Sequence, residues 1–129
     1  MRCQFHHVHL ICSDLKRTAD FFCQDLGATF VMWRQFGGTD GATLNLGGTT
    51  VNLRAGREEE GRLEDSSRPR FGYDHIGVEV DELDQAYEEL RTRGYVFTVP
   101  PKLSGPLKIA FFKGPDDILI EIVQRIQDA

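Results

Sequence analysis

An internal repeat constrains the fold of this chain more than any other feature of its sequence. The stretch FHHVHLICSDL, residues 5–15, returns 68 positions later as YDHIGVEVDEL, residues 73–83. In both copies every second residue is apolar, which is typical of a β-strand with one buried face. Because His7 coincides with His75, the repeat predicts two histidines at equivalent positions, each on the face opposite the apolar row.

Each copy of the repeat continues in the same way. A helix-like segment that ends in glycine comes next, Ser13–Gly27 in the first copy and Asp81–Gly94 in the second, and its first residue is the predicted N-cap. Three strand-like runs follow in each half: TFVMWRQF, ATLNLG and TVNLRA, then YVFTVP, LKIAFFKG and ILIEIVQR. The sequence therefore predicts an α+β fold made of two βαβββ modules in tandem.

The two modules span about residues 1–55 and 71–129, and a charged segment at 56–70 joins them. We interpret GREEEGRLEDSSRPR as a solvated linker; the alternative is that it folds over a ligand and its arginines grip an anion. A length of 129 residues suits one domain, so we expect a single domain over 1–129.

Composition excludes several classes of function. A net charge of −5 argues against a nucleic-acid partner, because phosphate contacts need a clustered basic surface. No apolar run is long enough to span a membrane, and the N-terminus lacks the apolar core of a signal peptide. The three cysteines, Cys3, Cys12 and Cys23, are odd in number and form no CxxC motif. We expect a cytoplasmic protein with free thiols and a small-molecule partner.

A carboxylate in an apolar strand predicts a metal site. Glu121 lies within ILIEIV, where a buried charge would be costly without a partner, and the repeat supplies His7 and His75 on equivalent strands. Two imidazoles and a carboxylate with open positions commonly hold a divalent ion for catalysis. The turns at Gly47–Gly48 and Pro115–Asp117 make Asn52 the equivalent of Glu121.

Other residues near this face have open alternatives. His9 shares the face of His7 and either meets a substrate or ligand water or forms a pocket wall. His6 belongs to the opposite row and is interpreted as a packing or edge residue. Trp33 and Arg34 either line the cavity or face solvent, and an arginine there would suit a carboxylate or phosphate of the substrate.

Three longer stretches resemble one known superfamily over nearly the whole chain. HVHLICSDLKRTADFFCQDLG, DHIGVEVDELDQAYEELRTRG and GPDDILIEIV are similar to the vicinal oxygen chelate superfamily, which includes glyoxalases, bleomycin resistance proteins and dioxygenases. The resemblance implies curled, mixed sheets that enclose a metal and substrate cavity. It also implies a homodimer, with the site built either within one chain or across two. Carried over by position, the implied ligands are His7, Asn52, His75 and Glu121.

The resemblance implies a glyoxalase-like lyase or isomerase whose small substrate chelates the ion through its oxygens. The ion, one of Ni, Zn, Mn, Co or Fe, would act as a Lewis acid. Glu121 would be a ligand and the proton shuttle, since the amide of Asn52 cannot take a proton. Asn52 either binds directly, acts through water or leaves its position open.

Departures from the family patterns weigh against narrower reactions. Where epimerases of this superfamily have a second glutamate, this chain has Arg34 and Gln35. The tyrosine of extradiol dioxygenases is replaced by Phe111, which we expect in the substrate pocket, and the threonine of fosfomycin thiol transferases is replaced by His9. The alternatives are a metal-free binding or sequestering protein of the bleomycin-resistance type and a dioxygenase that uses the His-His-Glu triad.

Overall fold

The computed structural model describes residues 1–61 and 71–126. The chain divides into two compact units, Met1–Arg62 and Leu63–Ala129, which we call unit 1 and unit 2. Each unit has the order βαβββ and one four-stranded mixed sheet, so the predicted α+β fold with tandem modules is confirmed.

In unit 1, the crossover through the helix makes the first and last strands parallel neighbours. The sheet order is β1-β4-β3-β2, in which β1 runs parallel to β4 and the other pairs are antiparallel. A parallel pair needs such a crossover, whereas the later strands are joined by tight turns. The elements are β1 (His7–Cys12), α1 (Leu15–Asp20), β2 (Thr29–Phe36), β3 (Thr39–Leu46) and β4 (Thr49–Ala55).

Unit 2 repeats this topology with the sheet order β5-β8-β7-β6, and β5 again runs parallel to β8. The elements are β5 (Ile76–Glu79), α2 (Leu83–Thr92), β6 (Phe97–Ser104), β7 (Leu107–Lys113) and β8 (Leu119–Arg125). The two-residue strand period puts alternate residues of β8 in the core, so Ile120 and Ile122 are fully buried while Glu121 between them is not.

Each sheet buries one face against its own helix. Burying a large aliphatic side chain contributes about 1.5–3 kcal/mol, so these rows hold the units together. The opposite face of each sheet carries the polar side chains of the predicted site. The buried rows are Ala42, Leu44, Val51 and Leu53 with Ala19 and Phe22 in unit 1, and Ala110, Phe112, Ile120 and Ile122 with Leu83 and Leu90 in unit 2.

Both helices begin one residue later than the sequence predicted. The N-cap of α1 is Asp14, whose carboxylate accepts a hydrogen bond from the backbone N–H of Arg17 at 3.1 Å, and the N-cap of α2 is Glu82. Ser13 and Asp81 were therefore wrong predictions. In α1 the reason is that the carboxylate of Asp14 stands three residues before a free backbone N–H, the spacing that a cap needs.

Glycine ends both helical segments, as predicted. Gly27 and Gly94 have positive φ angles of 75° and 97°, which glycine adopts without the steric cost that other residues pay. The first segment is less regular than expected, because α1 covers only six residues and the chain continues as a π-helical turn, Phe21–Asp25.

The strand β6 is longer than the sequence predicted. The run YVFTVP was expected to stop at Pro100, but β6 continues through Pro101 to Ser104, with a register shift between Val99 and Lys102. Since β6 is an edge strand, prolines that lack an N–H are tolerated there.

The predicted turn before the last strand is confirmed, while the segment between the modules is only partly described. Asp116 and Asp117 both have φ of 57° in a short 3-10 turn. Residues 57–60 form a turn beside β4, and 62–70 lie outside the described residues. In the part of the chain that the structure describes, no helix has both the length and the apolarity required to cross a membrane.

Candidate metal and substrate site

The open face of the unit 1 sheet brings together several of the predicted site residues. His9 on β1 pairs with Asn52 on β4, and Asn52 pairs with Thr43 on β3. His7 shares this face, because it lies two residues before His9 on the same strand. Three neighbouring strands thus contribute adjacent polar side chains to one surface.

Asn52 is nearly buried, and its amide is held in one orientation. Its exposed fraction is 8%, and the hydroxyl of Thr43 donates a hydrogen bond to Asn52 Oδ1 at 2.8 Å. This bond satisfies the buried oxygen and uses one of its two lone pairs. Through the second lone pair of Oδ1, Asn52 could bind an ion or a water molecule.

The two histidines of this face differ in their environment. His7 and His9 are both exposed, and Nδ1 of His7 lies 2.8 Å from Nδ1 of His6. The ring of His9 packs edge-on against Phe36, with 4.6 Å between the centroids. Partial desolvation of the ring, followed by its electrostatic interactions with Arg54, His7 and Arg34, lowers the pKa of His9. A neutral imidazole with a free lone pair can accept a proton or bind a metal.

Arg34 joins this face and Trp33 does not. The guanidinium carbon of Arg34 lies 4.6 Å from the centroid of the Phe36 ring, and its Nη1 is 3.5 Å from Thr43 Oγ1. Neighbouring residues of a strand point to opposite faces, so Trp33 lies on the helix side, where it pairs with the buried Ala42. The structure therefore puts Trp33 and Arg34 on opposite faces of the unit 1 sheet.

In unit 2, the side chains of His75, Glu121 and Phe111 contact one another. His75 Nε2 is 3.0 Å from Glu121 Oε1, and the ring of Phe111 lies 5.0 Å from the His75 ring. Phe111 on β7 is the cross-strand partner of Glu121 on β8. The other ring nitrogen of His75, Nδ1, is 2.8 Å from Asp74 Oδ2. The imidazole is thus held between two carboxylates.

These contacts change the acid–base behaviour of His75. Burial by itself would lower the pKa of His75, but the hydrogen bonds to Asp74 and Glu121 and the charges of those carboxylates together raise it. The raised pKa means that the protonated ring is stabilised when no cation is present. A cation at Nε2 would take the place of that proton beside Glu121.

The unit 2 residues fit a divalent ion. Two ligands of one ion with bonds of about 2.0–2.2 Å lie close to each other, and the 3.0 Å between His75 Nε2 and Glu121 Oε1 is compatible with that arrangement. A carboxylate beside Nδ1 favours the proton on that nitrogen and leaves Nε2 for the metal, a common feature of histidine ligands, and Asp74 Oδ2 lies 2.8 Å from Nδ1 of His75. Within residues 1–61 and 71–126, however, no three His, Cys, Asp or Glu side chains gather in a group that could hold an ion. The full set of His7, His75 and Glu121 stays a prediction.

Sequence reasoning missed three residues that position the predicted ones: Thr43, Phe36 and Asp74. A two-residue turn at Gly47–Gly48 fixes the pairing of β3 with β4, so the contact between Thr43 and Asn52 could have been inferred from the turn. Asp74 precedes β5, where strand alternation does not apply, and no local signal marks its contact with His75.

Comparisons with known proteins agree with this architecture. Residues 4–122 match the family model described as Glyoxalase/Bleomycin resistance protein/Dioxygenase superfamily. The Bacillus subtilis (strain 168) protein YwkD is 28% identical over an alignment of 127 residues that covers 93% of this chain and 95% of the relative. The alignment thus extends over nearly the full length of both proteins.

Solved structures resemble the chain over nearly its whole length. A glyoxylase/bleomycin resistance protein/dioxygenase domain from Frankia sp. EAN1pec is 26% identical with a TM-score of 0.81, covering 100% of this chain and 96% of that one. A glutamate-to-glutamine mutant of the fosfomycin resistance protein FosX from Listeria monocytogenes, in complex with Mn(II) and 1S,2S-dihydroxypropylphosphonic acid, is 18% identical with a TM-score of 0.74. This match covers 99% of this chain and 95% of that one. At that identity the likeness to FosX shows the fold alone.

Proposed function

Because the chain belongs to the Glyoxalase/Bleomycin resistance protein/Dioxygenase superfamily, we propose that it is a divalent-metal-dependent enzyme of the glyoxalase type. It acts as a lyase or isomerase on a small substrate that chelates the ion through two oxygens. The observation that carries this proposal is the contact of His75 Nε2 with Glu121 Oε1 at 3.0 Å, with Asp74 on the other ring nitrogen.

The proposed ligands are His7, His75 and Glu121, with Asn52 as a fourth through Oδ1 or through water. The fixed amide of Asn52 and the orienting carboxylate of Asp74 support this set, since ligands held in place before binding lose little entropy on binding. When bound, an ion such as Ni, Zn, Mn, Co or Fe supplies Lewis acidity to the substrate oxygens. The FosX structure, which has the same fold and contains Mn(II), supports the proposal of a divalent ion.

Proton transfer in this proposal belongs to Glu121. Its side chain is 18% exposed, and it is the one carboxylate of the proposed ligand set, whereas the amide of Asn52 cannot accept a proton. His75 holds one carboxylate oxygen, and Phe111 packs edge-on against the His75 ring. His9, with its lowered pKa, is a neutral group on the open face of unit 1 and a second proton acceptor.

A second candidate function is a metal-free protein that binds or sequesters a small molecule. Both ring nitrogens of His75 already have carboxylate partners, and the pKa of His75 is raised, so this cluster is stable as a hydrogen-bonded triad without any ion. In that case the polar faces would recognise a ligand and perform no chemistry.

The metal content of the purified protein distinguishes the metal-dependent enzyme from the metal-free binding protein. We expect tag-free protein, reloaded separately with Ni, Mn, Zn, Fe and Co and measured by mass spectrometry, to retain about one ion per chain. His75→Ala/Glu121→Ala should retain none, while Glu89→Ala on the exposed face of α2 should match the wild type. If no ion exceeds the level of the double variant under any loading, the enzyme proposal is wrong and the metal-free binder is the better account.

A further inference from the structure

Arg34 carries a positive charge on the open face of unit 1 that no carboxylate among the described residues balances. The other arginine of this face, Arg54, is paired with Glu60, with Nη1 2.7 Å from Oε1. Asp40, the carboxylate on the strand next to Arg34, instead accepts a hydrogen bond from Gln35 at 3.2 Å, in the opposite row of side chains. The guanidinium of Arg34 is therefore available to an anion that comes from outside the chain.

The guanidinium is also held in place without using up its donors. Its central carbon lies over the Phe36 ring at 4.6 Å, a cation–π contact that holds the group in place without a hydrogen bond to an oxygen acceptor. Its contact with Thr43 Oγ1 is 3.5 Å long, at the outer limit for a hydrogen bond, so it takes little of the donor capacity. Arg34 is exposed, which lets a ligand reach the remaining N–H groups.

Two direct contacts connect Arg34 with the proposed ligand face. Thr43, which touches the guanidinium, donates its hydroxyl to Asn52, and Phe36, which supports the guanidinium, packs on His9 at 4.6 Å. Thr43 thus lies between Arg34 and Asn52, and Phe36 lies between Arg34 and His9. A small molecule whose oxygens lie at these residues can extend its other end to Arg34.

We propose that Arg34 binds an anionic tail of the substrate, so that the substrate is an oxygen chelator with a second, carboxylate or phosphonate, group. This inference rests on the proposed function for the chelating end and adds the chemical class of the other end. The planar fork of arginine matches both groups, because two parallel N–H donors can bind two oxygens at once. The tail would be held against the Phe36 platform beside Thr43.

Three hydroxamates with the same chelating head test this inference by calorimetry on metal-loaded protein. Acetohydroxamate has a neutral tail, succinate monohydroxamate has a carboxylate and phosphonoacetohydroxamate has a phosphonate. We expect Arg34→Gln to weaken one or both anionic probes about tenfold or more and to leave acetohydroxamate unchanged. Arg91→Gln, on α2 in unit 2, is the matched control and should change none of them. The probe whose affinity falls most in Arg34→Gln indicates whether the substrate tail is a carboxylate or a phosphonate.

The outcomes separate this inference from the proposed function. If the protein holds metal and Arg34→Gln weakens all three probes equally or none, the anion site is wrong while the metal site stands. If the protein holds no metal, methylphosphonate and acetate are titrated into it at low salt, and the NMR signal of the Arg34 Nε–H group is followed. Binding that shifts this signal and is lost in Arg34→Gln supports the anion site alone, and no shift with either probe overturns it.

Discussion

At the scale of single residues, each unit fixes one candidate ligand with a neighbour that is not itself a ligand. In unit 1 the neighbour is the hydroxyl of Thr43 on the amide of Asn52, and in unit 2 it is the carboxylate of Asp74 on the ring of His75. Asn52 and Glu121 occupy equivalent positions in the two sheets, since their parallel-strand partners, His9 and Gly77, are also equivalent in the repeat. The same backbone position thus carries a neutral group in one unit and a charged group in the other.

Replacing Thr43 should reveal how far Asn52 depends on its hydroxyl. Thr43→Val keeps the shape of the side chain but leaves the nearly buried Asn52 Oδ1 without its donor, so we expect a loss of about 1–3 kcal/mol in the free energy of unfolding. Urea unfolding measures this loss, and Thr43→Ser, which keeps the hydroxyl, should lose less. Equal stability of Thr43→Val and the wild type would show that the hydrogen bond does not hold the amide.

At the scale of secondary-structure elements, the turn after β4 is bound to the sheet. The guanidinium of Arg54 on β4 donates two hydrogen bonds to the carboxylate of Glu60, and the backbone N–H of Arg57 donates a third at 2.6 Å. The hydrogen bond to Arg54, followed by that to the Arg57 backbone, lowers the pKa of Glu60 to about 2. The start of the charged segment is thus attached to unit 1 by a specific ion pair.

The lowered pKa of Glu60 predicts how this attachment depends on pH. Its ordinary value is 4.5, so the stabilisation is fully present above pH 4.5 and is lost as pH falls through the folded-state value of about 2. The stability difference between wild type and Glu60→Gln should therefore be larger at pH 7 than at pH 3 in urea unfolding. Glu58→Gln, in the same exposed turn, is the control and should show a small difference at both values. A Glu60→Gln difference that does not change with pH would contradict this assignment.

At the scale of the whole molecule, the homodimer that the family resemblance implies needs a surface that a second copy can cover. The strand β2 is an edge of the unit 1 sheet, and exposed apolar edges of this kind invite pairing with another chain. Closed twofold dimers are the commonest assembly of soluble proteins, so we propose β2 as the surface that two copies share. Its exposed apolar side chains are Phe30, Val31, Met32 and Trp33, which are between 41% and 55% exposed.

Sedimentation equilibrium tests this assembly. The chain has a mass of 14.6 kDa, and we expect the wild type to sediment as a particle of about twice that mass. Trp33→Lys places a charge on β2 and should shift the protein to the monomer, while Leu103→Lys, an equally drastic change on the exposed edge strand β6, should leave the dimer intact. If only Leu103→Lys breaks the dimer, the interface lies on unit 2 and not on β2. If the wild type sediments as a monomer, the proposed interface is wrong.

The sequence by itself determined the architecture, because the signals for it are local and are repeated. Backbone geometry within a single element explains the period of two in β1 and β8 and the glycines at positions 27 and 94. The repeat of FHHVHLICSDL shows that the same signals occur in both units. The same period put Glu121 on a face apart from Ile120 and Ile122, and the structure has it there.

Only the tertiary structure decided which side chains touch. Register between strands places Thr43 on Asn52, and side-chain rotamers along β2 place Arg34 over Phe36. The irregular pairing of β2 between Phe30 and Met32 sets which residues of that strand share a face with them. The ion pair of Arg54 with Glu60 joins a strand to the turn after it. Alternation along a strand is a property of each backbone, whereas register, bulges and rotamers depend on packing against neighbours, which a single stretch of sequence does not contain.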